Sequence, residues 1–217
     1  MGNTVTKRLI EGPANCPLCP RLVAYREELR QQEPDWHNNP VESFGPTDAR
    51  LLVVGLAPGV KGANRTGRPF TGDFAGDLLY GTLKKFGFAF GEFGATTDDG
   101  LTLHDCMVTN AVRCVPPQNK PIGAEINACR QFLEHRIQAL PNLTSIVTLG
   151  KIAHDSTIRA LQGKLKNHPF GHGKTSVIRT YAITASYHCS RYNTNTGVLT
   201  PEMFEAVFAS VKQGLDT

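Results

Sequence analysis

Three stretches bring together residue types that could do chemistry on a flat, anionic ligand. The first is "GLAPGVKGANRTGRPFTGD", Gly55 to Asp73. Its glycines let the backbone turn sharply and approach a ligand closely. Its cations, Arg65 and Arg68, could meet phosphates. Phe70 follows the stiff Pro69 and could offer a stacking face, although a Phe in this position more often plugs the core. No acid occurs from Gly55 to Gly72. The second stretch, "TNAVRCVPPQNKP", carries Asn110 at the end of an apolar run. A buried amide must find partners, and one with both a donor and an acceptor can read the edge of a pyrimidine or tie loops together. The third, "ASYHCSRYNTNTG", places His188 at a strand end, followed by Arg191, Tyr192 and Asn193. A lone histidine is usually structural. Here the polar loop behind it suits a polyanion. His104, His154, His168 and His172 take that structural reading, although His168-Pro-Phe-Gly-His172-Gly forms a further loop before the last strand that could line a groove.

Six cysteines form a second set, at positions 16, 19, 106, 114, 129 and 189. Cys16 and Cys19 make a C-x2-C pair, while Cys114 and Cys129 flank a Pro-rich segment and a helical start. Four thiolates could hold zinc or an iron–sulfur cluster, and spacing alone does not choose. Scattered buried thiols are the plainer alternative.

The elements that must position these residues alternate along the chain. Four short apolar runs, Leu51–Val54, Met107–Val112, Ser145–Leu149 and Val177–Thr184, read as buried parallel strands. Helical patterns fall at 17–32, 73–86, 122–140, 151–161 and 201–211. The last of these has Thr200 as N-cap and Pro201 at its first position. Alternation of this kind predicts a parallel sheet covered on both faces. Ligands then sit at the carboxyl ends of the strands, where loops 55–73, 113–121 and 185–197 fall.

A chain of 217 residues with a formal charge of +4 can bury one α/β core, and 1–217 is expected to be a single domain. The mild basicity permits a phosphate-rich partner without requiring one. No apolar run is long enough to span a bilayer, and the first residues lack an apolar signal core. The expected location is therefore cytoplasmic.

Taken together, the three motifs and four cysteines resemble the family 5 (B-type) uracil-DNA glycosylases over nearly the whole chain, from Cys16 to Thr200. The nearest relatives of that family, the family 4 enzymes, usually carry Glu where this chain has Leu56. The resemblance implies a three-layer α/β/α fold with a central four-stranded parallel sheet. It implies a [4Fe–4S] cluster on Cys16, Cys19, Cys114 and Cys129, structural in role, which leaves Cys106 and Cys189 as spare thiols. Its implied partner is uracil-containing DNA, double- or single-stranded, bound by a monomer.

The same resemblance assigns roles one residue at a time. Phe70 would stack on the extruded uracil, within a pocket formed also by Gly55, Ala57, Pro58 and Gly59. Asn110 would read the pyrimidine edge, and His188 would reach uracil O2. Asn64 and Asp73 are the first-loop candidates for positioning water. Arg65, Arg68, Arg191, Tyr192 and Asn193 would contact DNA. One departure stands out: Cys189 replaces the Pro usual after the third-motif His, which removes a source of loop rigidity. The lack of acid in the first loop suggests catalysis through the leaving base, with hypoxanthine and xanthine as further substrates. The competing reading is a non-catalytic iron–sulfur module that binds nucleic acid.

Overall fold

The computed structural model describes residues 10–72 and 74–217. Its centre is a five-stranded sheet in the order β4-β1-β5-β7-β6, where β1 is Leu51–Gly55, β4 Cys106–Asn110, β5 Ser145–Leu149, β6 Thr175–Ile178 and β7 Tyr181–Ser186. β1 lies parallel between β4 and β5, and β5 lies parallel to β7. The expected four parallel strands are present, and β6 adds an antiparallel edge. The run predicted as one strand, Val177–Thr184, is in fact split by the turn of this hairpin. Arg179 adopts a φ of 55° there. Neither it nor Thr180 is a residue type that announces such a turn. A small ribbon, β2 (Ala89–Phe90) against β3 (Thr102–Leu103), closes a separate excursion.

Strand side chains alternate between two cores, as a period of two requires. Leu51 and Val53 face α3 (Phe74–Lys85) and α7 (Pro201–Asp216), contributing to a core with Leu79, Leu83, Phe204 and Phe208. Leu52 and Val54 face α4 (Gly123–Gln138) and α5 (Lys151–Ala160), where Leu133, Ile137 and Ile158 pack. Three further helices complete the set used below: α1 (Pro20–Gln32) and the short α2 (Ala63–Thr66) and α6 (Arg191–Asn195). The Thr200 cap forms as expected, its hydroxyl accepting from the Met203 amide at 3.2 Å. Among the described residues no helix is long and apolar enough to cross a membrane.

The loop after β1 feeds α3 on one face, while the segments after β4 and β5 feed α4 and α5 on the other. Neighbouring connections therefore diverge around the end of β1, and a crevice opens there. All three chemistry-bearing loops meet at this edge.

Candidate active site

The crevice has an inner chamber and an outer cleft. Ala57, Pro58, Gly59, Ala63, Phe70, Ala75, Asn110 and His188 line the chamber, a narrow space of about 30 Å³. The cleft, about 610 Å³, shares Ala57, Gly59, Ala75 and His188 with it and adds Leu56, Gly72, Phe74, Asn119, Ser190 and Arg191. The residues that line the chamber are mostly small or apolar, and Asn110 and His188 are its polar side chains. A few convergent polar groups in a concave site are the usual form of a small-molecule pocket.

Asn110 and His188 are each held through the backbone, and their side chains have no hydrogen-bond partner among the described residues. Asn110 ends β4 opposite Gly55 of β1 and is 3% exposed. Its side-chain amide makes no hydrogen bond among the described residues. A Cβ on Gly55 would stand 2.4 Å from Asn110 Oδ1 and 2.5 Å from the Phe70 ring. Only glycine fits between them. The amides of Ala111 and Val112 donate to the Gly55 and Leu56 carbonyls, fastening the second loop to the first.

Phe70 is the most constrained of these residues. Its φ is 57°, in the left-handed region that a bulky side chain rarely adopts. The turn is braced on both sides. Tyr80 Oη donates to the Pro69 carbonyl at 2.6 Å, and Thr71 Oγ1 donates to the Arg68 carbonyl at 2.8 Å. The Phe70 carbonyl presses against α3 at Gly76, where any Cβ would lie 1.9 Å from its oxygen. The Phe70 ring faces the His188 ring, with centroids 6.2 Å apart and planes 26° from parallel.

His188 closes the opposite wall. Asn193 Nδ2 donates to its carbonyl at 2.8 Å, and its ring nitrogens have no partner among the described residues. Loss of hydration pulls its pKa down from 6.5 to about 4. The imidazole is therefore neutral near pH 7 and carries one N–H to donate. His154 differs: its ring nitrogens pair with Thr148 Oγ1 and the His168 carbonyl, a structural arrangement. His172 is likewise spent, since its Nδ1 accepts from the Tyr187 amide at 3.1 Å and its ring stacks on Tyr187. It braces the third loop from behind and does not present itself to a groove.

The rim is exposed and cationic. Arg65 lies open on α2, Tyr192 is 75% exposed, and Arg191 rests its guanidinium 5.8 Å from the Phe74 ring centre.

A sequence model described as the uracil DNA glycosylase superfamily matches residues 42–212. The chain is 44% identical over 205 residues to the type-5 uracil-DNA glycosylase of Thermus thermophilus, covering 91% of this chain and 93% of the relative. It is 38% identical over 210 residues to the type-5 enzyme of Mycobacterium leprae, covering 91% and 90%. Against the type-5 enzyme of Pyrobaculum aerophilum the identity is 36% over 197 residues, covering 89% and 86%.

The chain belongs to the uracil-DNA glycosylase superfamily, in its type-5 branch.

In this member of the superfamily, two first-loop assignments need correction. Arg68 is 4% exposed and does not reach the rim. Its guanidinium forks onto Asp99, Nη1 to Oδ1 at 2.9 Å and Nη2 to Oδ2 at 2.5 Å, under the rings of Phe44, Tyr80 and Phe93. Asn64 is 1% exposed, lies outside the chamber and cleft linings, and donates to Asn38 Oδ1 at 2.8 Å. It fastens α2 to the preceding segment. The carboxylate candidate Asp73 lies outside the described residues. Asn193 acts through its backbone-facing amide, as described, and its exposure is only partial.

Cys189, which stands in place of the usual Pro, anchors the third loop by a different means. It is fully buried in the core, and its thiol donates to the Ala75 carbonyl at 3.5 Å. Ser190 then caps α6 through the Asn193 amide.

Away from the chamber, Cys16, Cys19, Cys114 and Cys129 line one small cavity beneath α1, of about 10 Å³. Two N–H groups point at these sulfurs: the Arg113 amide to Cys129 Sγ at 3.2 Å and Arg26 Nη1 to Cys114 Sγ at 3.9 Å. Burial pushes the Cys114 thiol up to about 11 and the Cys129 thiol up to about 12. Among the described residues no group of three or more His, Cys, Asp or Glu is arranged to hold a single metal ion. Nearby, the Glu11 carboxylate binds both Arg113 and Arg136 in the interior, tying the start of the chain to this layer.

Sequence reasoning missed Asp99, Leu56, Phe74, Ala75, Asn119 and Ser190 as parts of the site or its support. Asp99 lies 31 residues beyond its partner Arg68. No local pattern joins the two.

Proposed function

We propose that the protein is a DNA-repair glycosylase that hydrolyses the N-glycosidic bond of uracil in DNA and leaves an abasic site. The observation that carries this reading is the chamber itself: a clamped aromatic face, with an amide and a neutral imidazole that have no side-chain partner among the described residues, converges on one small pocket. A base in a duplex cannot reach such a chamber, so the nucleotide is first flipped out, at a cost of a few kcal/mol. Phe70 stacks on the flipped ring and Asn110 reads its edge. As the bond from N1 to C1′ breaks, its electron pair goes to the uracil ring and charge grows on O2. His188 donates its N–H there, in the manner of an oxyanion hole. Water adds its oxygen to C1′ and releases a proton to the leaving base or solvent.

The rim cations hold phosphates of the flanking strand, double or single. The four-cysteine cavity holds a [4Fe–4S] cluster. Its support is the number of sulfur donors, their shared cavity and the N–H groups aimed at them. Bound there, the cluster would cross-link the N-terminal segment to β4 and α4, and it takes no part in the hydrolysis. Hypoxanthine and xanthine are proposed as additional substrates, since no acid–base pair in the described chamber restricts the leaving group to uracil.

The experiment is release of the base from labelled duplexes carrying uracil, hypoxanthine or xanthine, opposite G and A, with a single-stranded control. Uracil release with an abasic product is expected. DNA binding without release would instead favour the non-catalytic module. Brown protein with the visible absorbance of an iron–sulfur cluster is expected on anaerobic purification, and a colourless, zinc-bearing protein would contradict the cluster.

A further inference from the structure

Phe70 holds a backbone conformation that its own sequence does not favour, so something outside the loop must impose it. The structure supplies a candidate. Arg68, two residues earlier, is locked by a two-pronged ion pair to Asp99, and both side chains are 4% exposed. Arg68 Cζ lies 5.2 Å, 5.8 Å and 5.7 Å from the ring centres of Phe44, Tyr80 and Phe93. Asp99 is fixed in turn by the amides of Gly94 and Leu101, at 2.9 Å and 3.0 Å. Tyr80, part of the same aromatic cage, donates to the carbonyl of the intervening Pro69. Both backbone positions preceding Phe70 are thus fixed, and Gly76 receives its carbonyl from the other side.

We infer that Arg68 and Asp99 are positioning residues for the reaction, which hold Phe70 in its left-handed pose and so present a ready-made stacking face to the extruded base. The inference rests on the glycosylase reading above and deepens it. It gives the 91–100 segment, which lines neither the chamber nor the cleft, a function at the site. A flat surface that must be assembled at each encounter binds a flipped base less well than one already in place. The penalty of the left-handed pose sets the scale of the effect, about tenfold to a hundredfold.

The decisive experiment is a double-mutant cycle with single-turnover kinetics. Asp99→Asn and Arg68→Lys are each made in the wild-type chain and in a Phe70→Ala chain, on a uracil duplex with a fluorescent base beside the lesion. In the wild-type background each substitution is expected to lower the flipped-base signal and slow release by about tenfold to a hundredfold. In the Phe70→Ala background the same substitutions are expected to change the rate by less than about twofold. Equal losses in both backgrounds would overturn the inference, because the pair would then act on stability alone. The aromatic NMR shifts of Phe70, read without DNA, provide a second readout. They are expected to move in Asp99→Asn, and unchanged shifts would also overturn the inference. If the wild-type chain released no base, the glycosylase reading would fall while the NMR result still decided the clamp.

Discussion

The inner chamber and the outer rim use polar groups in opposite ways. In the chamber, Asn110 is buried and His188 is partly buried in the wall, and neither side chain has a hydrogen-bond partner among the described residues. On the rim, Arg65, Arg191 and Tyr192 are open to water. A hydrogen bond made inside a dry chamber is strong and expensive to lose, whereas a contact with a phosphate in water is weak, additive and screened by salt. Discrimination and chemistry should therefore live in the chamber, and affinity on the rim.

Short of removing His188, the change that would sharpen this contrast most is Asn110→Ala, which should slow single-turnover uracil release by about a hundredfold while leaving the salt dependence of binding unchanged. A change confined to salt dependence would break the division of labour. Gly55→Ala is next. Its methyl group collides with Asn110 and Phe70, so a loss of about tenfold is expected from overpacking. A crystal structure of that variant should show one of the two side chains displaced.

pH gives a smaller, graded test. Since the folded pKa of His188 lies near 4 and its ordinary value is 6.5, folding favours the neutral ring. Its associated stability is complete above pH 6.5 and is lost as pH falls toward 4. The rate should stay level from about pH 8 to about pH 5 and fall below that. A fall centred on the ordinary histidine value would show that the ring is hydrated in solution. The smallest effect belongs to the rim. Arg65→Gln and Arg191→Gln should each lower the slope of log affinity against log salt by about 0.9, with little change in the rate on saturating DNA.

The parts of the molecule most legible in sequence were those set by local pattern. Ser145–Leu149 and the Thr200–Pro201 helix start depend on neighbours in the chain and emerge as expected. The convergence of Phe70, Asn110 and His188 followed from their places in or beside the loops at the carboxyl ends of the strands, together with the family resemblance. What could not be read depended on distant partners. Arg65 and Arg68 are the same residue type three positions apart, yet one faces solvent and the other is sunk against Asp99 and three rings. Asn64 carries an amide suited to water, and it is consumed by Asn38. The fifth strand was hidden because its turn carries Arg179 in place of Gly or Asn.

The central claim is that the leaving base, held by neutral His188, carries most of the catalysis. It is tested most directly by single-turnover uracil release from one duplex by His188→Ala and Asp73→Asn, side by side. The account predicts a loss of about a hundredfold to a thousandfold for His188→Ala and a clearly smaller one for Asp73→Asn. A far greater loss in Asp73→Asn than in His188→Ala would contradict it.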